Sequence, residues 1–470
     1  MRTHHDSAIP HVIARWSGSL FAGGALALAA ACDTSVTNPG LVPDDALNKP
    51  EAWPAIVIGA RRALADAIGS ASGTGGQLLY WGAAVSFEIN PAGSTGSFGI
   101  PPDVQGGSLG DQTASADWAS SNQARFVAED AVRRFKTAMP DTLFPKSILV
   151  AQAYLYAGYS NRMLGENFCQ SVIPVENPDG SLSPGSLGSH TLYFQRAELA
   201  FTNALQVATT SGKTDTATTS LIRGARAGRA AVRADLATYG IATWSDALTD
   251  AALVPDTVKF LIPYSSQNTD QYNYLYWARA GTPYRAHTEW GTFYEQYYRS
   301  TKDSRVKWDT TALTGDAAVA KFGGFVPFWP EAKYAATAAP VRLSSGWEMR
   351  LIEAEAALVV GNDTATARAK MNLHRTALAL PGVTFTNPTE AWTALKTERG
   401  IELWLEARRL GDLRRWIDNN VPGTSPDGLY RANTTDVLHA TPIETMTAPV
   451  ARSLCFAVGK NERETNPNVP

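Results

Sequence analysis

Cysteine is scarce, with three in 470 residues, Cys32, Cys169 and Cys455, and no Cys-x-x-Cys among them. Neither H-E-x-x-H nor a Walker lysine loop occurs. His190, His287, His374 and His439 are too scattered for a metal site, so no metal or cofactor is expected. No sign of charge dominates: 41 Lys and Arg stand against 44 Asp and Glu, a formal net charge of -3. The chain therefore lacks the overall basic footprint of a nucleic-acid binder. With 44% hydrophobic and 18% charged residues it is neither disordered nor collagen-like, and it has material for a sizeable core. The apolar run from Leu20 through Ala31 falls short of the roughly 20 residues a spanning helix needs, so no transmembrane helix is expected.

That run has another reading. Arg2, Arg15, His4, His5 and His11 precede it, and a cationic start before a short apolar stretch is the pattern of a secretory signal peptide, here residues 1–31. The run ends in Leu28-Ala29-Ala30-Ala31-Cys32, which resembles a bacterial lipoprotein cleavage site, with Leu28 one place early. Lipidation of Cys32 is the expectation; the alternative is cleavage after small residues that leaves Cys32 unmodified. Acyl chains at about 0.8 kcal/mol per buried CH₂ would anchor the protein, and residues 32–50, with Asn38-Pro39-Gly40, would form a polar tether. Export also exposes thiols to oxidation. Cys169 and Cys455, beside Phe168 and Phe456, are either a long-range bridge or two buried thiols; compartment and even count favour the bridge.

From about Pro50 the pattern turns helical. Apolar and small residues recur at helical spacing over 51–68, 117–139, 146–164, 192–208, 216–236, 244–253, 346–360, 365–378 and 389–419. Paired helices with Ala, Gly and Tyr at contact positions predict a mostly α protein of stacked tetratricopeptide-like repeats, without a strict period. Two stretches interrupt it. Residues 69–116, rich in Gly, Ser, Pro and Asp, read as an exposed excursion. Residues 258–345 form a second, irregular and rich in aromatics. The predicted organisation from 51 to 470 is one domain: a helical body over 51–257 and 346–420, an insertion over 258–345, and an irregular segment over 421–470.

The segment from Glu398 to Trp416, ERGIELWLEARRLGDLRRW, closely resembles the signature of the SusD/RagB-like outer-membrane lipoproteins. Glu348-Met349-Arg350-Leu351-Ile352-Glu353-Ala354-Glu355-Ala356 and Met371-Asn372-Leu373-His374-Arg375 are similar to that family's preceding helix pair. Asp303-Ser304-Arg305, Lys333-Tyr334 and the tail at Asn466-Pro467-Asn468 also fit. The resemblance implies a non-enzymatic, cell-surface nutrient-binding lipoprotein on a helical-repeat scaffold. Its cargo would be an oligosaccharide or another nutrient, and it would act as the lid of a TonB-dependent (SusC-like) outer-membrane β-barrel.

Read without that resemblance, a helix from Thr397 to Trp416 sets Glu398, Glu402 and Glu406 in one i, i+4 stripe. Two of them could serve as a glycosidase pair only if a pocket raised one pKa. The nearby Arg408, Arg409, Arg414 and Arg415 push the other way, so an ion-pair network is the expectation. Gly106-Gly107-Ser108-Leu109-Gly110 matches the hydrolase elbow G-x-S-x-G, yet Pro101-Pro102-Asp103 is no buried strand. A secreted glycan hydrolase and a helical scaffold that binds only proteins remain the alternatives. Sugars offer apolar C–H faces edged by hydroxyls, which flat rings with neighbouring polar groups recognise. The insertion supplies Tyr272, Tyr274, Tyr276, Trp277, Tyr284 and Trp290 with Asn273, Arg279 and Arg285; Tyr80 and Trp81 in the first excursion are a second platform. These eleven are the candidate ligand-binding residues.

Overall fold

Small residues at helix contacts decide how tightly this chain can stack. The structure, a computed structural model, describes residues 43–71, 75–92, 99–178, 181–279, 284–313, 327–426 and 452–470. The expected signal peptide and Cys32 lie outside the described residues, as does most of the segment after 426. The chain divides into residues 1–46 and a unit Leu47–Pro470, which holds the helical body.

Helix α1 (Trp53–Gly69) has Pro54 in its first turn, where a missing amide hydrogen costs nothing, and buries Trp53, Val57, Ala60, Leu64 and Ile68. After α2 (Leu78–Val85) and α3 (Pro102–Gln105), the long α4 (Asp111–Ala138) packs on α1. Then α5 (Ile148–Asn167), α6 (Thr191–Thr210), α7 (Thr216–Thr238) and α8 (Trp244–Ala251) follow, each packed on its predecessor. The Asp215 carboxylate caps α7 by accepting from the Thr218 amide at 2.9 Å. Phe201 of α6 lies against Gly158 of α5 and Gly228 of α7. A Cβ at Gly158 would stand 2.6 Å from that ring, so glycine sets the helix spacing here.

The body resumes with α11 (Gly346–Gly361), α12 (Thr364–Ala377), α13 (Pro388–Glu402) and α14 (Arg409–Asp418), ahead of a short α15 (Lys460–Thr465). Helix α11 shares one apolar core with α7 and α8 and another with α12 and α13. Between α8 and α11 the insertion holds α9 (Tyr274–Arg279) and α10 (Phe293–Thr301). Its foot is closed by antiparallel pairing of β6 (Lys259–Ile262) with β8 (Val341–Ser345). The remaining strands are short pairs: β1 (Asn90–Pro91) with β7 (His287–Thr288), β2 (Gln170–Val172) with β5 (Leu187–Ser189), and β3 (Val175–Glu176) with β4 (Leu182–Ser183). Cys169 and Cys455 are bridged, with Cα atoms 5.1 Å apart, and Phe168 and Phe456 pack beside them. Among the described residues no helix is long and apolar enough to cross a membrane.

Two expectations fail. The stretch 389–419 is two helices, broken over 403–408, where Leu405 and Ala407 have φ of 56° and 58°. Non-glycine residues in that region cost about 1–3 kcal/mol each and persist only where surroundings over-determine them. Here the Leu405 amide donates to Glu88 Oε1 at 2.7 Å, and the Tyr334 hydroxyl donates to the Leu405 carbonyl at 2.6 Å. Helical spacing of apolar residues continues through the break, so periodicity alone could not reveal it. The first excursion is also not simply exposed. Its helix α2 buries Leu78, Leu79, Tyr80 and Val85, because it packs on α1 and α14.

Candidate ligand-binding site

The break between α13 and α14 ties the two excursions to the body. Glu88 of the first holds Leu405 and accepts through its carbonyl from the Trp404 indole at 3.2 Å. From the insertion, Lys333 donates to the Trp404 carbonyl and Tyr294 stacks on Trp404, centroids 5.6 Å apart. Around this turn the acidic residues are paired. Glu398 meets Arg375 at 2.5 Å and Arg305 at 3.0 Å. Glu402 meets His374 at 2.6 Å and Arg342 at 3.0 Å, and Glu406 meets Lys333 at 2.6 Å. Burial would raise the Glu402 pKa, but Arg342, His374 and Arg305 more than offset it and hold the carboxyl at about 2. Asp412 binds Arg399 and Arg415, and Arg415 reaches Glu355 at 2.5 Å. Arg414 donates to the Gly165 and Phe168 carbonyls, capping the end of α5. These charges join helix ends, and Glu402 cannot act as a general acid near neutral pH.

The aromatic residues divide by depth. Tyr80, Tyr274 and Trp290 are buried. Tyr80 meets Tyr274 edge-on at 5.0 Å and His287 at 5.3 Å, so α2, α9 and β7 share one ring cluster. Burial lifts the Tyr80 and Tyr274 hydroxyl pKa values and pulls His287 down to about 3, with Arg279 adding to the latter. Asn273 is buried as well: its side chain accepts from the Leu275 amide at 3.0 Å and donates to the Ala339 carbonyl at 2.9 Å, which fixes the start of α9. These four back the site; their polar and ring atoms face protein, which a count of residue types cannot tell. Trp290 also touches Trp329, which stacks on Trp308 at 5.2 Å.

Tyr272, Tyr276, Trp277, Tyr284, Arg279, Arg285 and Trp81 are half-buried. Trp277 lies between Tyr274, at 5.5 Å, and Tyr284, at 4.7 Å. The Arg279 guanidinium stands over Tyr276 at 5.2 Å and 3.7 Å from the Glu331 carboxylate. Glu331 is fully buried, and burial raises its pKa to about 7 against the pull of Arg279. The half-exposed set is thus a tilted Trp–Tyr pair beside a ring-held guanidinium, on a buried aromatic floor. Such a surface can stack on an apolar ring face and donate hydrogen bonds to its edge. Sequence reading did not place Trp329, His287 or Glu331 at the site; extending the aromatic count past Trp308 would have found Trp329. The elbow-like Ser108 follows a helical turn, α3, rather than a strand, and is exposed.

The SusD family model matches residues 262–466, which takes in the insertion from Ile262 onward and the signature turn and stops at Asn466. Over that stretch the chain is similar to the SusD/RagB family. No curated protein matches it. A SusD superfamily structure from Bacteroides thetaiotaomicron is similar over 89% of this chain and 98% of its own, with TM-score 0.62 and 14% identity. A laminarin-binding SusD-like protein is similar over 89% and 98%, with TM-score 0.57 and 12% identity. A SusD-like carbohydrate binding protein from Bacteroides vulgatus is similar over 78% and 83%, with TM-score 0.56 and 14% identity. At these identities the solved structures speak for the fold, and the SusD-like fold accounts for the helical body with its two excursions.

Proposed function

We propose that this SusD-like protein is a cell-surface glycan-binding lipoprotein that hands its ligand to a TonB-dependent outer-membrane β-barrel and serves as its lid. The observation that carries the binding role is the half-buried group Tyr276, Trp277 and Tyr284 with Arg279 and Arg285. It sits on an insertion whose anchoring turn is the family signature. The carbohydrate-binding relatives support the same chemistry. The paired state of Glu398, Glu402 and Glu406 speaks for capture without catalysis and against a glycan hydrolase. The anchor is Cys32, freed by removal of residues 1–31 and joined by the tether 32–50 to one domain over 51–470. Two experiments test the proposal. Purification from membranes with a tag on this chain is expected to recover a β-barrel partner and an acylated Cys32; recovery of neither counts against the lid. Replacing Trp277 by Ala is expected to weaken oligosaccharide binding about tenfold or more, and unchanged binding would remove this ring from the site.

A further inference from the structure

A second pocket lies beside α10 and uses none of the residues of the Trp277–Tyr284 platform. Its volume is about 220 Å³, and Tyr298, Arg299, Lys302, Trp308, Asp309 and Thr310 line it. Pockets for drug-sized ligands run from roughly 300 to 1,000 Å³, so this one suits a single ring unit. Two cations line it, Arg299 in the last turn of α10 and Lys302 as the residue that ends the helix. The Arg299 guanidinium lies 4.9 Å from the Trp308 ring centre and 4.6 Å from that of Trp329. Its Nε donates to the Glu295 carboxylate, and among the described residues its two terminal nitrogens make no hydrogen bond. The side chain remains 48% exposed. Lys302 ends α10 in the left-handed region, φ 56°, and its ammonium stands 5.3 Å from the Tyr298 ring centre. Among the described residues it has no ion-pair partner.

Aromatic faces hold both cations in place, and Glu295 offsets part of the Arg299 charge through Nε. The terminal N–H donors of Arg299 and the Lys302 ammonium stay available, an arrangement that binds an oxyanion through charge-assisted hydrogen bonds. Asp309 and Thr310 offer different chemistry, a carboxylate that accepts from hydroxyls and a hydroxyl that does both. Asp309 is only loosely matched to Lys307, at 3.9 Å with both side chains more than half exposed, a pairing too weak to withdraw it. We propose that this pocket is a second ligand site, for a sugar ring that carries an oxyanion. The anionic group meets Arg299 and Lys302, and ring hydroxyls meet Asp309 and Thr310. That the ligand is a sugar rests on the glycan-binding proposal above; that it is anionic rests on this pocket alone. The oxyanion is a uronate carboxylate or a sulfate ester, which share this recognition.

Calorimetry on the whole protein with a tetragalacturonate, a sulfated carrageenan tetrasaccharide and a neutral glucan tetrasaccharide tests this and separates the two sources. At least one anionic probe is expected to bind, with affinity falling about tenfold or more between roughly 0.05 and 0.5 M salt. Lys302→Glu is expected to lower that affinity at least about tenfold, while Lys302→Arg keeps it within about threefold. Lys302 is exposed, so its replacement leaves the packing intact, and the neutral probe's affinity serves as the control for folding. Trp277→Ala is expected to do the reverse, weakening the neutral probe and sparing the anionic one. Failure of both anionic probes to bind, or equal binding by wild type and Lys302→Glu, overturns the second site. An anionic probe that binds and responds to Lys302 while no neutral glycan binds would instead count against the Trp277 platform alone.

Discussion

Replacing Arg162 by Met tests whether buried charge pairing holds the body together. Arg162, on α5, is fully buried and reaches Glu166 at 2.8 Å, Glu348 at 2.5 Å, Ser344 Oγ at 2.8 Å and the Leu343 carbonyl at 3.2 Å. Methionine fills most of the volume and leaves two buried carboxylates sharing Arg408, which stands 2.7 Å from Glu166 and 3.2 Å from Glu348. Removing one partner from a buried pair costs about 3–5 kcal/mol, because a charge is left uncompensated. The remaining Arg408 places the expectation at the lower end, ~3 kcal/mol. The pH dependence has a definite sign. Burial would raise the Glu348 pKa, but Arg162 and Arg408 outweigh it and hold the carboxyl below its usual 4.5. In the wild type that lowered pKa contributes stability above the unfolded value, and the contribution is lost as pH falls through the folded one. Without Arg162 the carboxyl rises, and acid then neutralises a charge that was costly to bury. The deficit should be full near pH 7 and shrink toward about pH 4. Urea unfolding followed by tryptophan fluorescence at both values reads it. A loss under about 1 kcal/mol, or a deficit that grows in acid, would refute the reasoning.

Gly158→Ala puts a methyl 2.6 Å from the Phe201 ring and should destabilise by about 1–3 kcal/mol through overpacking; thermal melting checks it, and an unchanged midpoint would mean that α5 and α6 can part freely. Glu331→Gln acts through the buried carboxyl beneath Arg279. A folded pKa raised from 4.5 to about 7 contributes stability below the unfolded value that is lost as pH rises toward 7. The variant should therefore show a shallower loss of stability between about pH 5 and 8, by ~3 kcal/mol at most, and an identical pH slope would contradict the assignment. The same substitution keeps an oxygen for the Tyr334 amide, which donates to Glu331 at 2.9 Å, so lost packing is not the cause of any change.

The helical body was readable because its signal is local: Trp53, Ile56, Ala60, Ala63, Leu64 and Ile68 recur near the helix period, and Pro54 marks a helix start. The family signature was readable as a string but not as a shape. The turn at Leu405 and Ala407 depends on Glu88 and Tyr334, hundreds and tens of residues away along the chain, and nothing in the 398–416 segment carries that information. The aromatic insertion was visible by composition, and the rings do gather, Tyr80 with Tyr274 and Trp277 with Tyr284. Which rings meet solvent was not visible. Tyr80 and Tyr276 are the same residue type, and only the packing of α2 against α1 and α14 separates a buried floor from a half-exposed face. Asn273 fell on the structural side for a related reason, since an Asn before a helix is as apt to cap it as to bind a ligand.

The central claim is that this protein grips a glycan at the insertion and leaves it unchanged. Isothermal titration of the protein with a panel of purified oligosaccharides, followed by chromatography of the recovered sugar, tests it most directly. The account predicts saturable binding of at least one oligosaccharide, weakened about tenfold or more by Trp277→Ala, and recovery of that sugar at its original length. Absence of binding across the panel, or recovery of shortened chains, would contradict it.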